Sequence, residues 1–214
     1  MSIPKIEVPK MPNELPTILL PNEEIGSEDS YHTGIISDCT LDNQTAYKVA
    51  FDKVIFRNVT FTRISMKDIE LTDVIFERCD LSNVDFGEAT IHRTEFRNCK
   101  IIGIDLTGAT IRNVLFHACL SDYATFRMAN FRQIIFQECS LLNADFYEST
   151  LQKVYFNSCQ LDRAQFTGAK LAGIDISSCD FTSLGVGIED LRGCIISRGQ
   201  ASVFASLFGL ILKE

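Results

Sequence analysis

The sequence predicts an all-β solenoid of four-sided coils, closed by a short C-terminal α-helix. Three observations predict it. Large apolar residues recur every five positions, every cysteine falls in a second phase of the same period, and like residues recur every 20 positions. The chain has 214 residues, enough for one sizeable domain. Hydrophobic residues make up 46% and charged residues 22%, which excludes a chain disordered throughout.

The repeat occupies residues 34–196. Steps of five from Phe51 give Phe56, Phe61, Met66, Leu71, Phe76, Leu81 and Phe86, and continue without insertion or deletion to Phe181. Ser121 is the one polar centre in that series. Two positions before each centre stands a small or β-branched residue, such as Val54, Val74, Ala89, Cys99 or Ala144. A period of five matches neither a helix nor a plain strand. Each apolar pair reads as one short strand with both side chains inward, and the chain must turn between pairs. Turning the same way every five residues makes a solenoid.

Coil length follows from the 20-residue spacing of Cys79, Cys99, Cys119, Cys139, Cys159 and Cys179, and of Phe56, Phe76, Phe96, Phe116, Phe136 and Phe156. Stacking like on like gives 20 residues and four sides per coil. Residues Ile36 to Ile196 then make about eight coils, a rod of about 40 Å at ~4.8 Å per coil. One interior column is almost all Phe. A second is Phe-rich, through Phe86, Phe126, Phe146 and Phe166. All eight cysteines, Cys39 and Cys194 included, share the small-residue phase, and no CxxC occurs. They are expected to be reduced core thiols rather than metal ligands or bridges.

Both solenoid ends need covering. The N-terminal segment, residues 1–33, carries all five prolines (Pro4, Pro9, Pro12, Pro16 and Pro21) and lacks the register. Its Leu15, Ile18, Leu19 and Leu20 are expected to lie extended over the first coil, with the first residues mobile. Beyond Phe181 the register lapses through Leu184-Gly185-Val186-Gly187 and returns at Leu191, Cys194 and Ile196. In the last segment, residues 197–214, Ser197-Arg198-Gly199-Gln200 reads as a capping box that starts a helix. Gly209 is its expected stop, with Leu210-Ile211-Leu212 as an apolar tail. Ala201, Phe204, Leu207, Phe208, Leu210 and Ile211 offer more apolar surface than one cap of a narrow rod needs. An isologous homodimer through this end is expected to bury them.

No catalytic constellation stands out. P-loop, GxGxxG and GxSxG motifs are missing, and His32, His92 and His117 do not cluster. No enzyme activity, cofactor or metal is expected. Ser121 is expected to be a local bulge or a hydrogen-bonded core serine. No apolar run approaches the ~18 residues of a membrane span, and residues 1–30 lack a signal-peptide core. The expected location is cytoplasmic. A formal net charge of −8 argues against sequence-independent DNA binding.

The unit A/C/V–x–L/F–x–x, as in Ala144-Asp145-Phe146-Tyr147-Glu148 and Ala164-Gln165-Phe166-Thr167-Gly168, resembles the pentapeptide-repeat family. The resemblance implies a right-handed quadrilateral β-helix. Asp190-Leu191-Arg192-Gly193, followed by Gln200-Ala201-Ser202 and Leu207-Phe208-Gly209-Leu210, is similar to the tail of the Qnr-type subgroup. That likeness implies tail-to-tail dimerisation by the terminal helix. It also implies a DNA-mimicking rod that binds bacterial type II topoisomerases (DNA gyrase or topoisomerase IV) and protects them from quinolones. Unlike Qnr members with projecting loops, this register leaves no room for a loop between Val49 and Phe181.

Any function is expected on the outer faces, because a narrow solenoid filled with Phe has no interior pocket. Asp68, Asp85, Glu88, Asp105, Asp145 and Glu148 form an acidic stripe beside the Phe86 column, the expected topoisomerase contact. A neighbouring basic face carries His92, Arg93, Arg112, Arg132, Lys153 and Lys170. Ile55, Ile75, Leu115, Ile135 and Tyr155 share an outward apolar column. An interaction scaffold for an unrelated partner, reading the apolar column or the basic face, is the alternative.

Overall fold

The computed structural model of the chain describes residues 5–20 and 24–211, so Pro4, Pro21 and Leu212 of the readings above lie outside the described residues. The 20-residue spacing in the sequence is the pitch of the backbone. β1 (Ser30–Ser37) pairs in parallel with β3 (Ala50–Arg57), each residue opposite the one 20 positions on. The same offset continues through β5 (Glu70–Thr72) and β6 (Ile75–Glu77) to β7 (Thr90–Arg97), β8 (Thr110–His117), β9 (Asn130–Gln137) and β10 (Thr150–Asn157). These strands fill two adjacent sides of the coil. The other two sides hold β2 (Thr40–Tyr47) and β4 (Thr60–Lys67) at the N-terminal end and single bridges beyond, as Asp85↔Asp105 and Thr125↔Asp145. Pairing reaches Asp175↔Ile195, so the backbone keeps its pitch through the stretch where residue types lose the register.

The turns have one cause. Every fifth residue from Thr33 to Gly173 has positive φ, from 45° at Arg93 to 81° at Gly168. These corners fall two positions after each apolar centre. Asn58, Asn83, Asn98 and Asn143 tolerate the left-handed region, and Gly103 and Gly108 adopt it freely. An eight-residue strand such as β3 therefore contains one corner, at Lys53, and spans two sides.

Inside, Phe56, Phe76, Phe96, Phe116, Phe136 and Phe156 stack with ring centroids 4.7–5.2 Å apart and near-parallel planes. Phe126, Phe146 and Phe166 form a second stack at 4.9 Å, edge-on to the first. The six cysteines of the 20-residue column are buried. From Cys79 to Cys159, each thiol donates to the carbonyl of the Phe 23 positions earlier, at 3.3–3.5 Å. The column is thus a ladder of weak hydrogen bonds between coils, not only small filler. Ser121 corrects the expectation made for it. It sits in register with no bulge, and its buried Oγ, like that of Ser149, has no hydrogen-bond partner among the described residues.

The N-terminal segment also departs from expectation. Thr17 bridges Ile35, with Ile18 N–H on the Ile35 carbonyl and Ile35 N–H on the Pro16 carbonyl, both at 2.8 Å, so this part adds a strand to the first coil as expected. Gly34 admits that approach, because a Cβ there would lie 2.6 Å from the Pro16 carbonyl oxygen. Ile18 and Leu20 pack on the core, while Leu19 is 85% exposed. Residues 5–10 run up the outside of the rod, and the mobility expected of the first residues falls on residues 1–4, outside the described residues. Lys10 N–H donates to Asp73 Oδ1 (2.9 Å), Glu7 N–H to Asn113 Oδ1 (3.2 Å), and Gln133 Nε2 to the Lys5 carbonyl (3.2 Å).

At the far end, Ser197 and Gln200 exchange the two bonds of a capping box, at 2.8 and 3.3 Å. The box closes a turn, and the regular helix α1 (Ala201–Leu207) begins after it. Gln200 also has a second role beside the capping box. Its Nε2 reaches the Ile176 and Cys179 carbonyls (2.9 and 2.7 Å), plugging the open end of the coil. Gly209, at φ 73°, ends the helix as expected. Its N–H meets the Ser206 carbonyl and the Leu210 N–H meets that of Ala205.

Candidate protein-binding faces

The acidic stripe is assembled by the bridges of one side, which set Asp85 directly beside Asp105 and place Asp145 two coils further on, beyond Thr125. Each of these aspartates also serves the fold. Asp85, Asp105 and Asp145 accept the backbone N–H two residues on, from Gly87, Thr107 and Tyr147 at 2.9–3.0 Å. Two have cations. Lys67 Nζ is 3.6 Å from Asp85, and Arg127 is 2.8 Å from Asp145 while stacking over the Tyr147 ring. Asp68, Glu88 and Glu148 lie on the adjoining corner column, exposed and without a cation partner among the described residues. The stripe therefore exists, but its free charge sits at the corner and on Asp105. Gly108 and Met128 interrupt it midway.

The basic face is less basic than its composition. Arg93 grips Asp73 through Nε and Nη2 at 2.6 and 2.8 Å, and Lys170 pairs with Asp190 at 2.8 Å. Lys170, then the Gly168 N–H, hold the Asp190 carboxyl below the usual range despite its burial. Asp190, singled out in the Qnr-like block, thus ties two coils together. His92 is half-buried, and burial first, then Arg93 and Arg112, lower its pKa. Arg112 and Arg132 remain exposed and directly opposite one another. The outward apolar column is mostly covered, with Ile75 at 9% and Ile135 at 7% exposure, and Glu95 interrupts it.

The six residues named for the C-terminal contact divide. Phe204 is buried and meets Phe181 edge-on at 5.7 Å, so it caps the rod, and Leu207 is packed partly behind it. Ala201, Phe208, Leu210 (63%) and Ile211 (94%) face outward. Among the described residues, no helix is long and apolar enough to cross a membrane.

Known proteins resemble the chain in sequence and in structure. The chain is 37% identical over 89 residues to YisX of Bacillus subtilis strain 168, a match covering 42% of each protein. Among solved structures it superposes on HetL of Nostoc sp. strain PCC 7120, a pentapeptide repeat protein involved in heterocyst differentiation regulation. There the TM-score is 0.55 and the identity 17%, over 83% of this chain and 92% of that one. Full-length QnrB1, a plasmid-mediated fluoroquinolone resistance protein, superposes with a TM-score of 0.35 and 19% identity, over 83% of this chain and all of that one. The model of the pentapeptide repeat region matches residues 49–126, 69–146 and 120–184. With that repeat matched along most of the chain and its 20-residue coil pairing from Ser30 to Ile195, the chain belongs to the pentapeptide repeat family.

Proposed function

We propose that the protein is a non-enzymatic rod that binds a bacterial type II topoisomerase, DNA gyrase or topoisomerase IV, through its acidic edge. Two rods join through Ala201, Phe208, Leu210 and Ile211, with Leu207 at the margin and Phe204 holding the helix in place. The observation that carries the reading is the corner set Asp68, Glu88 and Glu148, exposed and free of cations beside Asp105. From Asp68 to Glu148 is four coils, about 19 Å. Six carboxylates lie on that length, and Lys67 and Arg127 offset two. The remaining density is one charge per about 5 Å, against one per ~1.7 Å for duplex DNA. The mimicry is partial, and it steers the rod toward a basic groove rather than reproducing DNA charge for charge.

The test is binding to immobilised gyrase and topoisomerase IV by the wild type and by the triple variant Asp68→Lys, Glu88→Lys, Glu148→Lys. These side chains leave the turn N–H groups untouched, so circular dichroism should be unchanged. The expected result is a loss of affinity of about tenfold or more, mainly in the association rate. Equal binding by both proteins, or by neither, refutes the reading. The opposed pair Arg112 and Arg132 favours a second reading, a scaffold whose partner is acidic.

A further inference from the structure

The corner column that holds the N-terminal segment has the makings of a binding site for peptide in general. Asp73, Arg93, Asn113 and Gln133 stack at successive coils. Lys5, Glu7 and Lys10 meet Gln133, Asn113 and Asp73 in turn. Five residues of extended chain span about 16 Å, and the three coils they cross rise about 14 Å, so the segment lies along the rod axis without slack. All three bonds go to backbone groups of the segment. Two column side chains accept and one donates, so the column reads an extended main chain and not particular side chains. Covered by the segment, this corner is the most buried of the four. Asp73 is 2% and Asn113 1% exposed, whereas Asn58, Asn83 and Asp68 on the other corners stand open.

Side-chain preference comes from the surroundings. Ile6, Pro9 and Met11 are half-buried against the rod, while Lys5, Val8 and Lys10 point to solvent. The Glu7 N–H bonds the Asn113 amide, which itself lies 3.4 Å from the His92 ring, so the exposed Glu7 carboxylate adds negative charge near His92 and Arg93, one coil before.

We propose that the column Asp73–Arg93–Asn113–Gln133 is a peptide-binding groove, filled in cis by residues 5–10 and open in trans to an extended partner segment of the same pattern, apolar–acidic–x–Pro–x–apolar. The segment is then a tethered competitor. At an effective concentration of about 1 mM, a segment whose own affinity for the open groove is about 10 μM weakens any competing ligand by about 100-fold. This inference stands independently of the topoisomerase reading, which concerns another corner of the coil.

The test uses the full chain and a fluorescein-labelled peptide of residues 5–14. The double variant Glu7→Pro, Lys10→Pro removes both donated N–H groups and leaves the rod intact. By anisotropy it should bind the peptide about 100-fold more tightly than the wild type. Adding Asn113→Gly and Gln133→Gly, which keep the positive φ and remove the reading groups, should reverse that gain by about tenfold or more. A peptide carrying Glu7→Lys should bind several-fold more weakly. In the wild type, the Glu7 and Lys10 amides should exchange with deuterium more slowly than in the free peptide. Equal peptide binding by wild type and double variant, at any strength, overturns the proposal, as do unprotected amides at both positions.

Discussion

Replacing Ser121 by alanine is expected to stabilise the protein. The side chain is fully buried and its hydroxyl is orphaned, while the backbone groups are already used. Ser121 N–H bonds the Ser140 carbonyl at 2.8 Å, and its carbonyl accepts from Ala124 at 3.2 Å. The substitution therefore removes one unpaired polar group. Such a group costs about 1–3 kcal/mol, and losing the packing of one atom returns part of that, leaving a gain of about 1 kcal/mol. For a chain of this size that raises Tm by about 2–4 °C. Ser121→Leu goes further. The neighbours in its column, Ile101 and Leu141, are large and fully buried. Their N–H bonds to the next coil are also 2.8 Å, so the coil has not closed in around the smaller residue. Leucine should fill the space and add about 2 kcal/mol at ~0.8 kcal/mol per buried CH₂. Guanidinium unfolding followed by circular dichroism gives both values. A destabilised Ser121→Ala refutes the orphan hydroxyl. A destabilised Ser121→Leu refutes the unfilled space.

Three further outcomes are expected. Phe116→Ala empties the middle of the Phe stack, between neighbours 4.8 and 4.7 Å away, and should cost about 3–5 kcal/mol by denaturant titration, against less than about 1.5 for Phe116→Leu. Burial pushes the Asp73 carboxyl up, but the Arg93 bonds and the Lys10 N–H outweigh it and hold its pKa below the usual range. The folded protein thus binds fewer protons at Asp73, so its contribution is complete above about pH 4 and is lost as pH falls through the lowered value. The Tm gap between wild type and Asp73→Asn should accordingly narrow below about pH 4. Of the eight cysteines, the six buried ones should resist Ellman's reagent in the native protein and react after denaturation. Half-buried Cys194, pushed up to about 11 by burial and then by Asp175, should react slowly at pH 8.

Coil pitch, core and Phe ladder were legible in the sequence because they depend on periodic apolar burial, and residues such as Phe76 and Phe96 repeat it directly. The corner conformation left a signal that the apolar reading passed over. Asn58, Asn83, Asn98, Gly103 and Gly108 share the phase two after each centre, where the left-handed backbone lies. The path of the N-terminal segment left no periodic signal. It depends on Asp73, Asn113 and Gln133, single side chains 63 to 128 residues away in sequence. The acidic stripe was legible as charge, but not as structure. That Asp85 and Asp145 hold turn N–H groups and meet cations emerges only when neighbouring coils are stacked, and it moves the free charge to Asp68, Glu88, Asp105 and Glu148.

The most direct test of the functional account is DNA supercoiling by purified gyrase, with and without ciprofloxacin, as the protein is titrated in, alongside decatenation by topoisomerase IV. Topoisomerase binding through the acidic corner predicts a dose-dependent change in at least one enzyme, either slowed turnover without drug or restored turnover with it, abolished by Asp68→Lys, Glu88→Lys, Glu148→Lys. Unchanged turnover of both enzymes, with and without the drug, would contradict it.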